Sequence, residues 1–172
     1  SYIVDNPESI KGLVTRGQIF QKLEQFDESK NDFIFAINSS ESKPEYYNYL
    51  ANVLIESSSA NIDEAIKYYK LGQSKIGQLS TFSESIIELE LLQGDFESAL
   101  IETELLIQQS NRKEKWYLLK GDILKKAGRI EEAKTAYMDA KASIDKLSAP
   151  KKNTDYVKNM ILEIESALTQ LF

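Results

Sequence analysis

The sequence predicts an all-α fold: a right-handed superhelix (α-solenoid) of about four helix–turn–helix repeats followed by a C-terminal capping helix. The main observation is a short motif that recurs as QFDES at 25–29, NIDEA at 61–65, DFESA at 95–99 and RIEEA at 129–133. Its apolar second position falls at Phe26, Ile62, Phe96 and Ile130, which are 36, 34 and 34 residues apart. A period near 34 residues is typical of solenoids built from paired helices. Glycine (7) and proline (3) are scarce, which also favours helix.

The first two repeats are predicted at about 9–42 and 43–77. Helices are expected at 9–23 and 26–38, then at 44–57 and 62–75. Gly17 lies at the centre of the first helix, where a glycine allows another helix to approach closely. Pro44 suits the first turn of a helix, because its missing N–H is not needed there. Asn61 is expected to cap helix 62–75 through its side chain.

The third and fourth repeats are predicted at about 78–111 and 112–147. Helices are expected at 80–93, 96–109, around Gly121, and at 130–147. Gly94 ends the first of these in a left-handed conformation, and Asp95 caps the next. The period breaks after residue 147. Thr154 is expected to cap a last helix, within the capping segment 153–171, whose apolar stripe is Tyr156, Val157, Met160, Ile161, Ile164 and Leu168.

Composition excludes several functional classes. The chain of 172 residues contains no cysteine and no histidine, so it lacks thiolate chemistry and the commonest general base and metal ligand. Its net charge of −6 makes nucleic acid an unfavourable partner. We expect no membrane insertion, because no apolar run is long enough to cross a bilayer. No phosphate-binding loop or nucleophile elbow is present, so we predict no enzyme activity and no cofactor.

The fourth repeat resembles the tetratricopeptide repeat (TPR) family most closely, in the segment WYLLKGDILKKAGRIEEAKTAYMDA. Trp116, Gly121, Gly128, Ala133, Tyr137 and Ala140 lie at or within one residue of the signature positions of that family. The resemblance covers about residues 9–145 and extends more loosely to bacterial members, several of which are exported or periplasmic. The third repeat departs most, since Ile87 replaces a small residue and Thr103 replaces an aromatic one.

The resemblance implies a protein-binding module, because these repeats bind peptides or partner helices along the concave face formed by the first helix of each repeat. Helical phase places the candidate partner-binding residues there: Gln18, Lys22, Asn48, Tyr49, Asn52, Glu56, Glu84, Glu88, Lys115 and Asp122. Asn48 and Asn52 are one helical turn apart, so both of their side-chain amides could hydrogen-bond the backbone of the same peptide. A solvated polar face with no specific ligand is the alternative for each of these residues.

A carboxylate clamp of the kind found in chaperone-binding members is not expected. Its positions hold Val14, Gln18, Tyr49, Thr81 and Ser85 in one register, and Asn48, Asn52, Ser85, Lys115 and Leu119 in the other. Neither set supplies the positive charges that the clamp needs.

Two hypotheses about function remain. The chain is either an interaction scaffold that binds an unknown protein or peptide in the groove, or a structural spacer that self-associates through open solenoid ends. In both cases we expect residues 1–172 to form one domain of a longer protein, which is either cytoplasmic or, as the resemblance to bacterial members suggests, exported.

Overall fold

The computed structural model describes residues 7–171, with side chains from Ile10 onward. This part of the chain is all-α and contains no strand, as predicted. Its helices are α1 (Pro7–Lys22), α2 (Phe26–Ile37), α3 (Pro44–Ser57), α4 (Ile62–Ile76), α5 (Ser80–Leu92), α6 (Phe96–Gln109), α7 (Glu114–Lys126), α8 (Ile130–Asp145), α9 (Ala149–Lys152) and α10 (Asp155–Gln170). A 3-10 turn at Ser59–Asn61 precedes α4. The nine predicted helices are all present, and α9 and the 3-10 turn were not predicted.

The chain divides into two compact units, Ser1–Ser85 (unit 1) and Ile86–Phe172 (unit 2), so that the boundary falls within α5. In unit 1, α1 packs against α2, α2 against α3, and α3 against α4. In unit 2, α6 packs against α7, α7 against α8, and α8 against α10. Each unit is therefore built from consecutive antiparallel helix pairs.

Unit 1 packs a large ring against a glycine. A Cβ on Gly17 of α1 would lie 2.9 Å from Phe33 Cε1 of α2, so only glycine fits without a shift. Phe33 is fully buried, and the hydroxyl of Ser29 donates a 2.7 Å hydrogen bond to the Gly17 carbonyl. Asp32 is also buried, and Arg16 holds both of its carboxylate oxygens at 2.6 and 2.8 Å. This hydrogen bonding raises the pKa of Arg16.

In unit 2, an aromatic ring of α8 likewise packs against a glycine of α7. A Cβ on Gly121 would lie 2.5 Å from Tyr137 Cε1, and the Tyr137 hydroxyl donates a 2.8 Å hydrogen bond to Asp122. Burial of the Tyr137 ring raises the pKa of its phenol well above the ordinary value, and the Asp122 carboxylate raises it further. The close approach predicted at Gly17 is therefore present in unit 1, and unit 2 has the same arrangement at Gly121, where it was not predicted.

Turn and cap predictions are confirmed at three positions and wrong at one. Gly94 has φ 73°, Asp95 accepts a hydrogen bond from the Ser98 amide at 3.1 Å, and Thr154 accepts one from the Val157 amide at 3.4 Å. Asn61 does not cap α4. Its side-chain nitrogen donates instead to the Leu54 carbonyl at 3.2 Å and to Ser57 Oγ at 3.0 Å, because the 3-10 turn carries it back over the end of α3.

Three large apolar side chains at the ends of helices are exposed. Ile19 of α1 and Leu23, which follows α1, are 53% and 62% exposed, and Tyr156 of the predicted α10 stripe is 56% exposed. The rest of the α10 stripe behaves as predicted, since Val157, Met160 and Ile164 are buried among residues of α7 and α8. Periodicity gives the direction in which a side chain points, and it does not show whether another element covers that direction.

Candidate functional site

The first helices of the two hairpins of unit 1 form a polar groove. One cavity of about 360 Å³ is lined by Lys11, Val14, Thr15, Gln18, Glu41, Lys43, Glu45, Tyr46 and Tyr49. A second, of about 440 Å³, is lined by Gln18, Gln21, Lys22, Tyr49, Asn52 and Glu56. Gln18 and Tyr49 line both cavities, so the two are continuous. We call this surface the α1–α3 groove.

Tyr49 is held at the centre of the α1–α3 groove. Its ring packs on the buried ring of Phe33, with the centroids 5.4 Å apart, while one side of the tyrosine stays accessible. Tyr46, which lines the first cavity, is only 6% exposed. Of these two tyrosines, only Tyr49 therefore offers much surface to a ligand.

Polar groups line the α1–α3 groove together with Tyr49. The amides of Gln18 and Asn52 make no hydrogen bond to any residue that the structure describes, so both are available to a ligand. Gln21 is engaged, because its side-chain nitrogen donates a 2.8 Å hydrogen bond to Glu56. The lining charges balance: Lys11, Lys22 and Lys43 are matched by Glu41, Glu45 and Glu56.

The structure brings together half of the predicted binding residues. Gln18, Lys22, Tyr49, Asn52 and Glu56 all line the α1–α3 groove. Asn48 lies on the same helix, is half-buried, and lines neither cavity. The sequence analysis missed the contribution of Glu41, Lys43 and Glu45, which belong to the turn before α3 and its first residues.

The remaining predicted residues do not line the α1–α3 groove. Glu84 is half-buried on α5, and Glu88 is exposed on the same helix. The Lys115 ammonium lies 4.3 Å from the centroid of the Trp116 ring. Asp122 is exposed and accepts the hydrogen bond from Tyr137, so it has a structural role whatever else it does.

No group of three or more acidic side chains in the described part of the chain is placed to hold a metal ion. Between residues 7 and 171, no helix has both the length and the apolarity needed to span a membrane. The arrangement that the described residues do offer is one of hydrogen-bonding amides beside a fixed aromatic ring.

The fold and this groove define a helical-repeat protein of the class that presents binding surfaces on paired helices. Residues 115–143 match the model of the tetratricopeptide repeat family. These residues include the fourth predicted repeat from Lys115 to Ser143. This segment, which contains most of α7 and α8, therefore resembles one tetratricopeptide repeat.

Solved structures agree with this fold. A tetratricopeptide repeat protein from Parabacteroides merdae is 19% identical with a TM-score of 0.50, over 95% of this chain and 60% of that one. BtubC from P. vanneervenii is 15% identical with a TM-score of 0.57, over 95% and 75%. A putative kinesin light chain with nearly identical TPR-like repeats, from Podosopora anserina, is 10% identical with a TM-score of 0.52, over 96% and 98%. The present chain thus spans about three fifths of the Parabacteroides protein. No curated protein matches the sequence.

Proposed function

We propose that the chain is a non-catalytic interaction module whose α1–α3 groove binds an extended segment of a protein partner. The observation that carries this proposal is the pair of unengaged amides, Gln18 and Asn52, which line the same cavity as the fixed ring of Tyr49. Each amide offers both a donor and an acceptor, as a peptide backbone does. The groove can therefore hydrogen-bond the main chain of a ligand without selecting the ligand by the charge of its side chains.

The tyrosine supplies the apolar part of the contact. Because Phe33 already holds the Tyr49 ring, binding a ligand there costs little additional side-chain entropy. Aromatic residues at the centre of an interface often contribute most of the binding energy. The balanced charges of the lining indicate a segment that carries no large net charge, unlike the carboxylate ligands of a cationic clamp.

A display library of random peptides, selected on the purified chain, would test the proposal. The selected peptides should bind the Tyr49→Ala and Asn52→Ala variants at least about tenfold more weakly than the original chain, since central anchors contribute about 2 kcal/mol or more. Asn31→Ala is the matched control, because Asn31 is an exposed asparagine on α2, outside the groove. Selected peptides that bind all three variants equally would refute the assignment to this groove.

Glu84, Glu88, Lys115 and Asp122 from the later repeats remain separate candidates for partner binding, on the ground of helical phase. Glu88→Ala offers the cleanest test of this group, because Glu88 is exposed and its replacement leaves the packing unchanged. Tighter or unchanged binding of the selected peptides by Glu88→Ala would exclude Glu88 from the binding of these peptides.

A further inference from the structure

A second accessible surface of α1 lies next to the groove and shares Lys11 and Thr15 with it. Lys11, Gly12, Thr15, Arg16 and Ile19 line a shallow hollow of about 550 Å³. Ile19 is 53% exposed, and Leu23, in the turn just after α1, is 62% exposed. We call these six residues the α1 outer face. Ile19 and Leu23 thus add two large exposed apolar side chains near the end of α1.

The repeat register shows what covers this face elsewhere in unit 1. Residues 34 apart occupy equivalent positions in the first helices of the first two repeats. Gly12 therefore corresponds to Tyr46, Arg16 to Leu50 and Ile19 to Val53. These three residues of α3 are buried, at 6%, 0% and 1% exposure, and α2 packs against α3. In the second repeat, this side of the helix is therefore apolar and is packed against other helices.

The fourth repeat gives a closer template. Gly12 and Ile19 correspond to Trp116 and Ile123 of α7, which are packed in one cluster with Ala99, Leu106 and Ile107 of α6. Arg16 corresponds to Lys120, whose ammonium lies 2.8 Å from the carboxylate of Glu104 on α6. A helix thus covers this face of α7 with an apolar stripe, and one of its carboxylates pairs with the cation.

We propose that the α1 outer face binds an amphipathic helix of a partner protein, with apolar residues over Ile19 and Leu23 and a carboxylate at Arg16. Arg16 donates to Asp32 through Nε and Nη2, and its side chain is still 56% exposed, so it can receive a second carboxylate. Lys11 on the same face adds a further positive charge. An acidic helix is therefore the occupant that the charges favour.

Gly12 gives the docked helix a specific requirement. It stands where α3 has Tyr46 and α7 has Trp116, and nothing lies within 4 Å of the position a Cβ would take. The bulk that α3 and α7 supply themselves must come from the partner in this case. We expect the bound helix to place one large apolar side chain over Gly12.

A synthetic peptide of residues 95–111, which contains α6, is the probe, because α6 covers the equivalent face of α7. Fluorescence anisotropy of the labelled peptide, titrated with the whole chain, should show saturable binding. The affinity should fall at least tenfold for Ile19→Asp and for a Glu104→Lys peptide. It should be unchanged for Leu162→Asp, a matched control whose leucine is 64% exposed on α10. Gly12→Trp should raise the affinity, because it restores the bulk that α7 carries at this position.

Three results would overturn the proposal. The first is absence of binding by both the original chain and Gly12→Trp. The second is binding that Ile19→Asp leaves unchanged, which would place the peptide elsewhere. The third is self-association in sedimentation experiments that Ile19→Asp abolishes, which would make a second copy of the chain the occupant. The peptide-binding groove is tested separately, because Tyr49 and Asn52 are not part of the α1 outer face.

Discussion

Two glycines of α1 should respond in opposite ways to the same substitution. Gly12 is exposed, with no atom within 4 Å of its Cβ position, whereas a Cβ on Gly17 would lie 2.9 and 3.0 Å from the Phe33 ring and 3.3 Å from Asp32 Cβ. Alanine is favoured over glycine in a helix by about 1 kcal/mol at both positions. Gly12→Ala should therefore raise the free energy of unfolding by about that amount.

At Gly17 the steric cost opposes the same gain. Phe33 is completely buried, its ring packs on Tyr49, and its neighbour Asp32 is held by Arg16, so the ring has little room to move. Overpacking of this kind costs about 1–3 kcal/mol. Gly17→Ala should leave the free energy of unfolding unchanged or lower it by up to about 2 kcal/mol. The difference between the two variants, about 1–3 kcal/mol, does not depend on the helix propensity, which cancels.

Amide hydrogen exchange of peptides from α1 and α2 is the appropriate measurement, because the single tryptophan, Trp116, lies in unit 2 and its fluorescence reports there. Exchange should slow in Gly12→Ala and stay the same or accelerate in Gly17→Ala. In a Phe33→Leu background the smaller side chain leaves room for the new methyl group, so Gly17→Ala should become stabilising. Equal stabilisation by both alanines in the original chain would refute the packing argument.

Three further predictions concern stability, and urea unfolding followed by circular dichroism checks the first two. Glu24 has φ 58°, and the third and fourth repeats have Gly94 and Gly128 at the same position. Glu24→Gly should therefore raise the free energy of unfolding by about 0.5–1 kcal/mol, and Gly128→Ala, at φ 75°, should lower it. The reverse order would disprove strain at this turn. Ala133 is fully buried and Glu132 is exposed, so Ala133→Leu should cost about 1–3 kcal/mol and Glu132→Leu much less, and equal costs would contradict the helical phase. Because the folded-state pKa of Tyr137 is raised, its unfolded phenol ionises first, and stability should fall as the pH rises above about 10; this fall should be shallower in Tyr137→Phe, and parallel pH profiles would exclude a role for this phenol.

Much of the fold could be predicted from the sequence because the repeat motif, the caps and the glycines act locally. The predicted bounds of α3 and α6 are those of the structure, and the other predicted helix ends differ by at most a few residues. Asn61 was assigned wrongly because an asparagine at a helix start can bond backward as well as forward, and the short turn at 59–61 decided between the two. Local chemistry could not show this.

The groove was predicted less completely than the fold. Gln18, Tyr49 and Asn52 were found because they share a helical phase, which fixes direction. Glu41, Lys43 and Glu45 were missed because they lie in and after a turn, where the repeat period gives no orientation. The exposure of Ile19 was not expected for a different reason. Its helical phase matches buried residues in other repeats, but burial also depends on a neighbouring helix, which helical phase does not show.

The third repeat shows how a departure from the repeat pattern can preserve the packing. Gly17 and Gly121 accommodate Phe33 and Tyr137, and the second repeat has Ala51 and Tyr69 at the same positions. The third has Ile87 and Thr103. The large residue has moved from the second helix to the first, and both residues are buried, at 2% and 0% exposure.

We infer that the sizes of these two residues compensate for each other, and a double-mutant cycle can test it. Ile87→Gly alone should create a cavity and cost several kcal/mol, and Thr103→Tyr alone should overpack the same region. Combined, they restore the arrangement of the first and fourth repeats, so the double variant should be more stable than the sum of the two changes predicts, by about 0.5–3 kcal/mol. Additive losses in urea unfolding would mean that Ile87 and Thr103 fill separate spaces. The third repeat would then owe its packing to other residues.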